Sequence, residues 1–264
     1  QEQLKVYRQA VLKKAFEGEL TKEWREKAVK TDSRPSLDNT TILTAAEPTV
    51  NYKKQGAKDL PEGWEYEKLG NVCIKAEKVK RKDMPQEQSF LYIDIGGIDN
   101  SINKIIKHKK YKWNEAPSRA QQIIKVGDVL FSTVRTYLKN IAIVTSDTHS
   151  NQICSSGFTV IRSIYGILDS DYVFYLSLSD GFLNPLSALQ TGTSYPAVRD
   201  KDVFNQLIPL PTIGEQHQIV REIESRLSVC DKVENDIALA IERSRNLRQS
   251  ILKKAFEGKL LSEA

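Results

Sequence analysis

Methionine occurs once in the 264 residues, at Met84, and cysteine three times, at Cys73, Cys154 and Cys230. Cysteines so few and scattered form neither a disulfide framework nor a zinc knuckle, and they suit a reducing cytoplasm. The histidines are as scarce (His108, His149 and His217) and isolated in sequence, so no metal is expected. No apolar run approaches the ~18 residues that cross a bilayer, and no signal-peptide pattern opens the chain. Amino-methyltransferases hold the target amine with an Asn/Asp-Pro-Pro-aromatic motif. Here "NPL" (184–186) lacks the second proline and the aromatic, and "IGG" (95–97) is not a dinucleotide-binding loop. No acid pair with metal-ligand spacing stands out either. The chain reads as non-catalytic, with no cofactor of its own. Residue 1 is a glutamine inside a helical pattern, so the sequence reads as part of something longer.

Hydrophobic residues make up 40% and charged residues 28%, ordinary values for a soluble protein of one or two domains. A net charge of +5 and a pI near 8.9 permit a polyanionic partner without requiring one. The sequence also repeats itself. "RQAVLKKAFEGEL" (8–20) returns as "RQSILKKAFEGKL" (248–260), identical at ten of thirteen positions at a constant offset of 240.

From residue 1 to about 27, Leu4, Tyr7, Val11 and Ala15 recur at helical spacing, Gly18 is a natural stop, and "TKEWREK" adds a turn or two. Residues 31–59 are polar and aperiodic, a linker. Residues 60–211 then alternate short β-rich runs ("FLYIDI", "QQIIKV", "DVLFSTV", "IAIVTS", "GFTVIR") with turn signals. One helix is expected inside this block, over 169–189. "NQLIPLP" ends the block in prolines. From Glu215 to about Glu257 the pattern is one long helix, a rod of roughly 60 Å. Its apolar track runs through Val220, Ile223, Leu227, Cys230, Ile237, Ile241 and Ile251, with Phe256 near its end. Such a seam needs a partner helix, and the repeat makes Val11 and Phe16 of the first helix its counterparts. The fold class is therefore α+β: a globular domain with a β-rich core, attached to long helices that form an antiparallel coiled-coil-like spacer. The domains run 1–30, 31–59, 60–211 and 212–264.

This layout resembles the specificity subunits of type I restriction–modification systems. The likeness is carried by "LPEGWEYEKLG" (60–70), "APSRAQQIIKVGDVLFSTVR" (116–135), "TGTSYPAVRDKDVFNQLIPLPTIGEQHQIVREIE" (191–224) and the repeated "LKKAFEG". The resemblance implies two target-recognition domains, each reading half of a split DNA site and each followed by a helix of an antiparallel spacer. It further implies methyltransferase subunits docked on those helices, which methylate adenine with S-adenosylmethionine, and a motor–nuclease subunit that joins them. The chain holds one such domain and the end of the preceding helix, so it resembles a C-terminal half, and self-association through the helices could supply a second reader.

Reading a duplex needs phosphate contacts for position and base-edge contacts for sequence. "STVRTYLKN" offers Ser132, Thr133, Arg135, Tyr137, Lys139 and Asn140, although Arg135 could equally be a solvated rim residue. "TGTSYP" offers Thr191, Gly192, Thr193, Ser194 and Tyr195, with Arg199 following; a plain turn is the alternative. The basic run at 103–120 interleaves Lys109, Lys110 and Lys112 with Tyr111 and Trp113, and Ser118 and Arg119 fall at the family's "SRA" position. A solvated loop would look the same. Rival readings are a fused adenine methyltransferase reader and a coiled-coil scaffold with no nucleic-acid role.

Overall fold

The computed structural model describes residues 2–28, 60–192 and 195–259. The expected linker, together with Thr193 and Ser194, lies outside them. α1 (Glu2–Phe16) and α2 (Lys22–Ala28) bear out the first helical stretch. The stop between them needs a glycine: Gly18 has φ +75°, and a Cβ there would lie 2.3 Å from Pro61 Cγ.

The strands are β1 (Glu65–Lys68), β2 (Cys73–Ile74), β3 (Ser89–Ile93), β4 (Ile98–Asp99), β5 (Lys104–Ile105), β6 (Lys109–Lys112), β7 (Ala120–Ile124), β8 (Val129–Ser132), β9 (Ile141–Ile143), β10 (Gln152–Ser155) and β11 (Phe158–Ser163). α3 (Ser170–Leu178), α4 (Asp180–Ala188), α5 (Asp200–Phe204), β12 (Leu207–Leu210) and α6 (Ile213–Phe256) follow. Two four-stranded sheets, ordered β6-β3-β10-β7 and β2-β11-β8-β9, make the body of the domain; β3 and β10 run parallel, and the other pairs are antiparallel.

Strand alternation builds the layers. In β8, Leu130 faces Ile93, Ile124 and Cys154 of the other sheet, whereas Val129 and Phe131 face the helices. β9 repeats this with Ala142 against Ile141. Between the helical layer and its sheet lies the larger core, which includes Tyr172, Leu186 and Ile223. A third cluster, with Trp113 stacked on Phe90 at 4.2 Å, closes the outer face of the first sheet.

Two helical expectations change. The single helix over 169–189 is two, because Ser179 adopts extended φ/ψ and its hydroxyl caps Phe182 N. α5 stands where the sequence reads as turns; its N-terminus is held by Asp202, which accepts from the Arg199 backbone N–H at 3.0 Å. The long helix is 44 residues, about 66 Å, and begins as expected, with Thr212 capping Glu215 N.

α1 lies antiparallel along the first half of α6. Arg8 reaches Asp231 and Glu234 at 2.7 and 2.9 Å, and thirteen residues on Thr21 reaches Glu215 at 2.7 Å. The seam expectation therefore divides. Val11, Phe16, Val220 and Ile223 are buried, and Leu227 packs at the edge of the same core. Ile237, Ile241, Ile251 and Phe256 are exposed along the second half of α6. Val11 and Phe16 face the β-rich domain as well as α6, so the first helix is part of the globule and not only of the stalk. Among the described residues, no helix is long and apolar enough to cross a membrane.

Candidate nucleic-acid interface

The connection from β8 to β9 is the most constrained backbone on the domain's surface. Arg135 (φ +49°) and Lys139 (φ +53°) both take the left-handed conformation, on either side of a 3-10 turn at Thr136–Leu138. Non-glycine residues adopt it only where surrounding contacts hold them. Here the Arg135 N–H donates to Pro196 O at 2.8 Å, and Asn103 donates its side-chain amide to Lys139 O at 2.9 Å. Isolated bridges join Ala197 to both Val134 and Thr191. The two loops that sequence nominated separately are thus one structure.

At its surface the Arg135 guanidinium sits 4.8 Å from the centre of the Tyr195 ring, a cation–π pair. Tyr195 is 71% exposed and Tyr137 59%. A planar guanidinium presented on an exposed ring suits stacking and bidentate contact with a base edge.

A third loop joins them. Asn100 donates to Leu138 O at 2.8 Å, which ties the 99–107 segment to the same turn. The β10–β11 turn supplies the fourth contact: Gly157 O accepts from both the N–H and the hydroxyl of Thr133 at 3.0 Å, and Ser156 N donates to Arg119 O at 2.8 Å. Beyond that turn lies an open cleft of mixed lining, with Tyr92, Asp94, Ile95, Lys109, Pro117 and Arg119 among its walls. Segments remote in sequence are therefore joined by these hydrogen bonds, and Arg119, Tyr137 and Tyr195 are exposed on them.

Several nominated residues are buried or engaged within the protein. Ser132 and Thr133 are buried, and their hydroxyls are committed to Val134 O and Gly157 O. Trp113 is a core residue, so the aromatic part of the basic run faces inward. The run is also partly neutralised. Lys109 pairs with Asp94 and Lys112 with Glu87, both at 2.7 Å, and these bonds raise both ammonium pKa values. Lys139 is tied back to Asp180 at 3.0 Å and to Leu178 O. Arg199 makes an ion pair with Asp202 at 2.9 Å, whose hydrogen bond holds the carboxyl below its usual range. Lys110, Ser118, Arg119, Tyr137, Thr191 and Gly192 are exposed, and Asn140 is half-buried. Gly192 has φ +98°, and a Cβ there would stand 3.2 Å from Tyr195 O, so this position holds the loop's shape.

Sequence reasoning missed the Ser155–Gly157 turn, Asn100 and Asn103, and the pair Tyr92 and Asp94. A glycine beside serines was the only signal for the turn. His108 and His149 also meet, 3.3 Å apart between ring nitrogens; partial burial, then His108 itself, lowers the His149 pKa. Among the described residues no group of acidic, histidine and cysteine side chains could hold a metal.

Residues 61–243 match the family described as the type I restriction modification DNA specificity domain. The chain is 29% identical over 263 residues to the type I restriction enzyme EcoDI specificity subunit of Escherichia coli, covering 98% of this chain and 54% of that protein. It is 28% identical over 270 residues to the EcoBI specificity subunit of the same species, covering 98% and 51%. The crystal structure of the HsdS subunit from Thermoanaerobacter tengcongensis superposes with a TM-score of 0.66 at 40% identity, over 75% of this chain and 51% of that one. The chain thus spans about half the length of these relatives, and the two Escherichia coli proteins are named as specificity subunits. On the match over more than half its length, the chain belongs to the type I restriction–modification DNA specificity family.

Proposed function

We propose that the domain over 60–211 reads one half of a split site in double-stranded DNA and that the helices fix its distance from a second reader. The observation that carries this reading is the joined loop pair, in which Arg135, held in the left-handed conformation, is presented on the exposed ring of Tyr195. The relatives are specificity subunits by name, which favours a recognition role without catalysis or a cofactor of its own. In this reading the helices dock methyltransferase subunits, and a motor–nuclease subunit joins the assembly, inside the cytoplasm. The apolar stripe on the second half of α6 is where another helix packs, from a longer chain or from a second copy in a homodimer.

The test is binding of the chain to short duplexes across a salt series. Log K is expected to fall linearly with log salt, by about 0.9 for each phosphate contacted. Binding that is absent, or indifferent to salt, would favour the scaffold reading.

A further inference from the structure

The turn that carries Arg135 has an apolar neighbour. Ile102 stands in the turn between β4 and β5 and is 55% exposed. That turn is tied to the β8–β9 connection on both sides of Ile102. Asn100 donates to Leu138 O at 2.8 Å, and Asn103 donates to Lys139 O at 2.9 Å and to Ile141 O at 3.1 Å. The Leu138 N–H in turn donates to Arg135 O at 2.9 Å. The hairpin is thus bonded, through Leu138, to the residue that presents its guanidinium on Tyr195.

Anchoring the hairpin does not use Ile102. Ile98 and Ile105 pair across the two strands; the first is buried between the sheets and the second packs against the same cluster. Ile102 belongs to none of the three cores. The rest of the turn is polar and fixed. Asp99 accepts from the N–H and the hydroxyl of Ser101, at 2.9 and 2.6 Å, and Asn103 takes the left-handed conformation at φ +52°. On the turn to which it is bonded, Tyr137 and Leu138 are 59% and 39% exposed. Single exposed apolar side chains are ordinary on a protein surface. Three of them on two turns bonded to each other are a surface, and one whose backbone is already ordered before any contact. Lys104, two residues on, is exposed and makes no ion pair among the described residues, which suits it to a phosphate.

We propose that Ile102 reads the C5 methyl group of a thymine in the half-site. The major groove offers donors, acceptors and a single apolar group, and that group is the thymine methyl. An apolar side chain held to the turn of a base-reading arginine therefore has one feature by which to discriminate. The inference rests on the reading of 60–211 as a half-site reader and names one base within it.

The experiment is binding of the full chain, parent and Ile102→Ala, to the duplex that selection from a random pool yields for the parent. Each thymine of the motif is replaced in turn by deoxyuridine, which keeps every hydrogen-bonding group and lacks only the methyl. One replacement is expected to weaken the parent about fourfold, the worth of one buried methyl. Ile102→Ala is expected to bind the thymine and uracil duplexes equally. A merely structural role would weaken both duplexes alike and leave their ratio unchanged. If Ile102→Ala binds no duplex, Ile102→Asn, which suits a turn, is read by the same ratio. A parent motif without thymine, uracil duplexes all held within twofold of thymine, or a preference that survives in the variant overturns this inference and leaves the half-site reading standing. If the parent enriches no motif, the half-site reading falls and this inference falls with it.

Discussion

Glu215 ties two remote pieces of chain to the start of α6. Its carboxylate accepts from Thr21 at 2.7 Å, from Arg25 Nε at 3.0 Å and from the Trp64 indole at 2.9 Å, and its side chain is 4% exposed. Glu215→Ala would leave buried donors and the Arg25 charge without their acceptor. The expected cost is about 3 kcal/mol, seen as a fall of roughly 6–12 °C in the melting midpoint. A change under about 2 °C would mean that water replaces the carboxylate. The sequence could nominate Glu215 only as an acid near a helix N-terminus, because its partners lie up to 194 residues away. The same limit explains Trp113, Ser132 and Thr133. Residue type made them plausible DNA contacts, but which side of the sheet they face depends on pairings that local pattern does not contain.

At the scale of elements, the strands with apolar runs bounded by glycine and aspartate were legible, and so was the long amphipathic helix. β1 and β12 were not: they pair Glu65 with Leu210 across the whole domain, β1 is mostly charged, and Pro209 interrupts the apolar run of β12. The break at Ser179 was hidden because α3 and α4 keep leucines at helical spacing on both sides of it. In the proposed reading α6 is the ruler. Deleting seven residues from its bare half (235–250) keeps the seam nearly in phase and shortens the rod by about 10.5 Å, the rise of roughly three base pairs. In the assembled methyltransferase complex, such a deletion should shorten the accepted spacer while leaving the half-site bases unchanged. Methylation mapped on duplexes of graded spacer length reads this directly, and an unmoved optimum would remove the ruler role.

The described residues form a two-sheet domain locked to the foot of a rod, with α1 as the clasp and the far half of the rod exposed. That arrangement separates two tasks. In the proposed reading, loops set the bases and the rod sets the distance. The repeat made the second task visible in the sequence, but not that its first copy would be folded into the domain. The loop cluster was half visible: Arg135 and Tyr195 could be named, but their stacking could not, because it is made by bridges through Ala197.

The most direct test of the central claim is selection of bound duplexes from a random-sequence pool, run in parallel with the parent chain and with Arg135→Ala. The parent is expected to enrich one short contiguous motif, and the variant to lose preference at a single position within it, by about 1–3 kcal/mol. No enrichment by the parent, or an equal loss across every sequence in the variant, would contradict the assignment of this face as the reader.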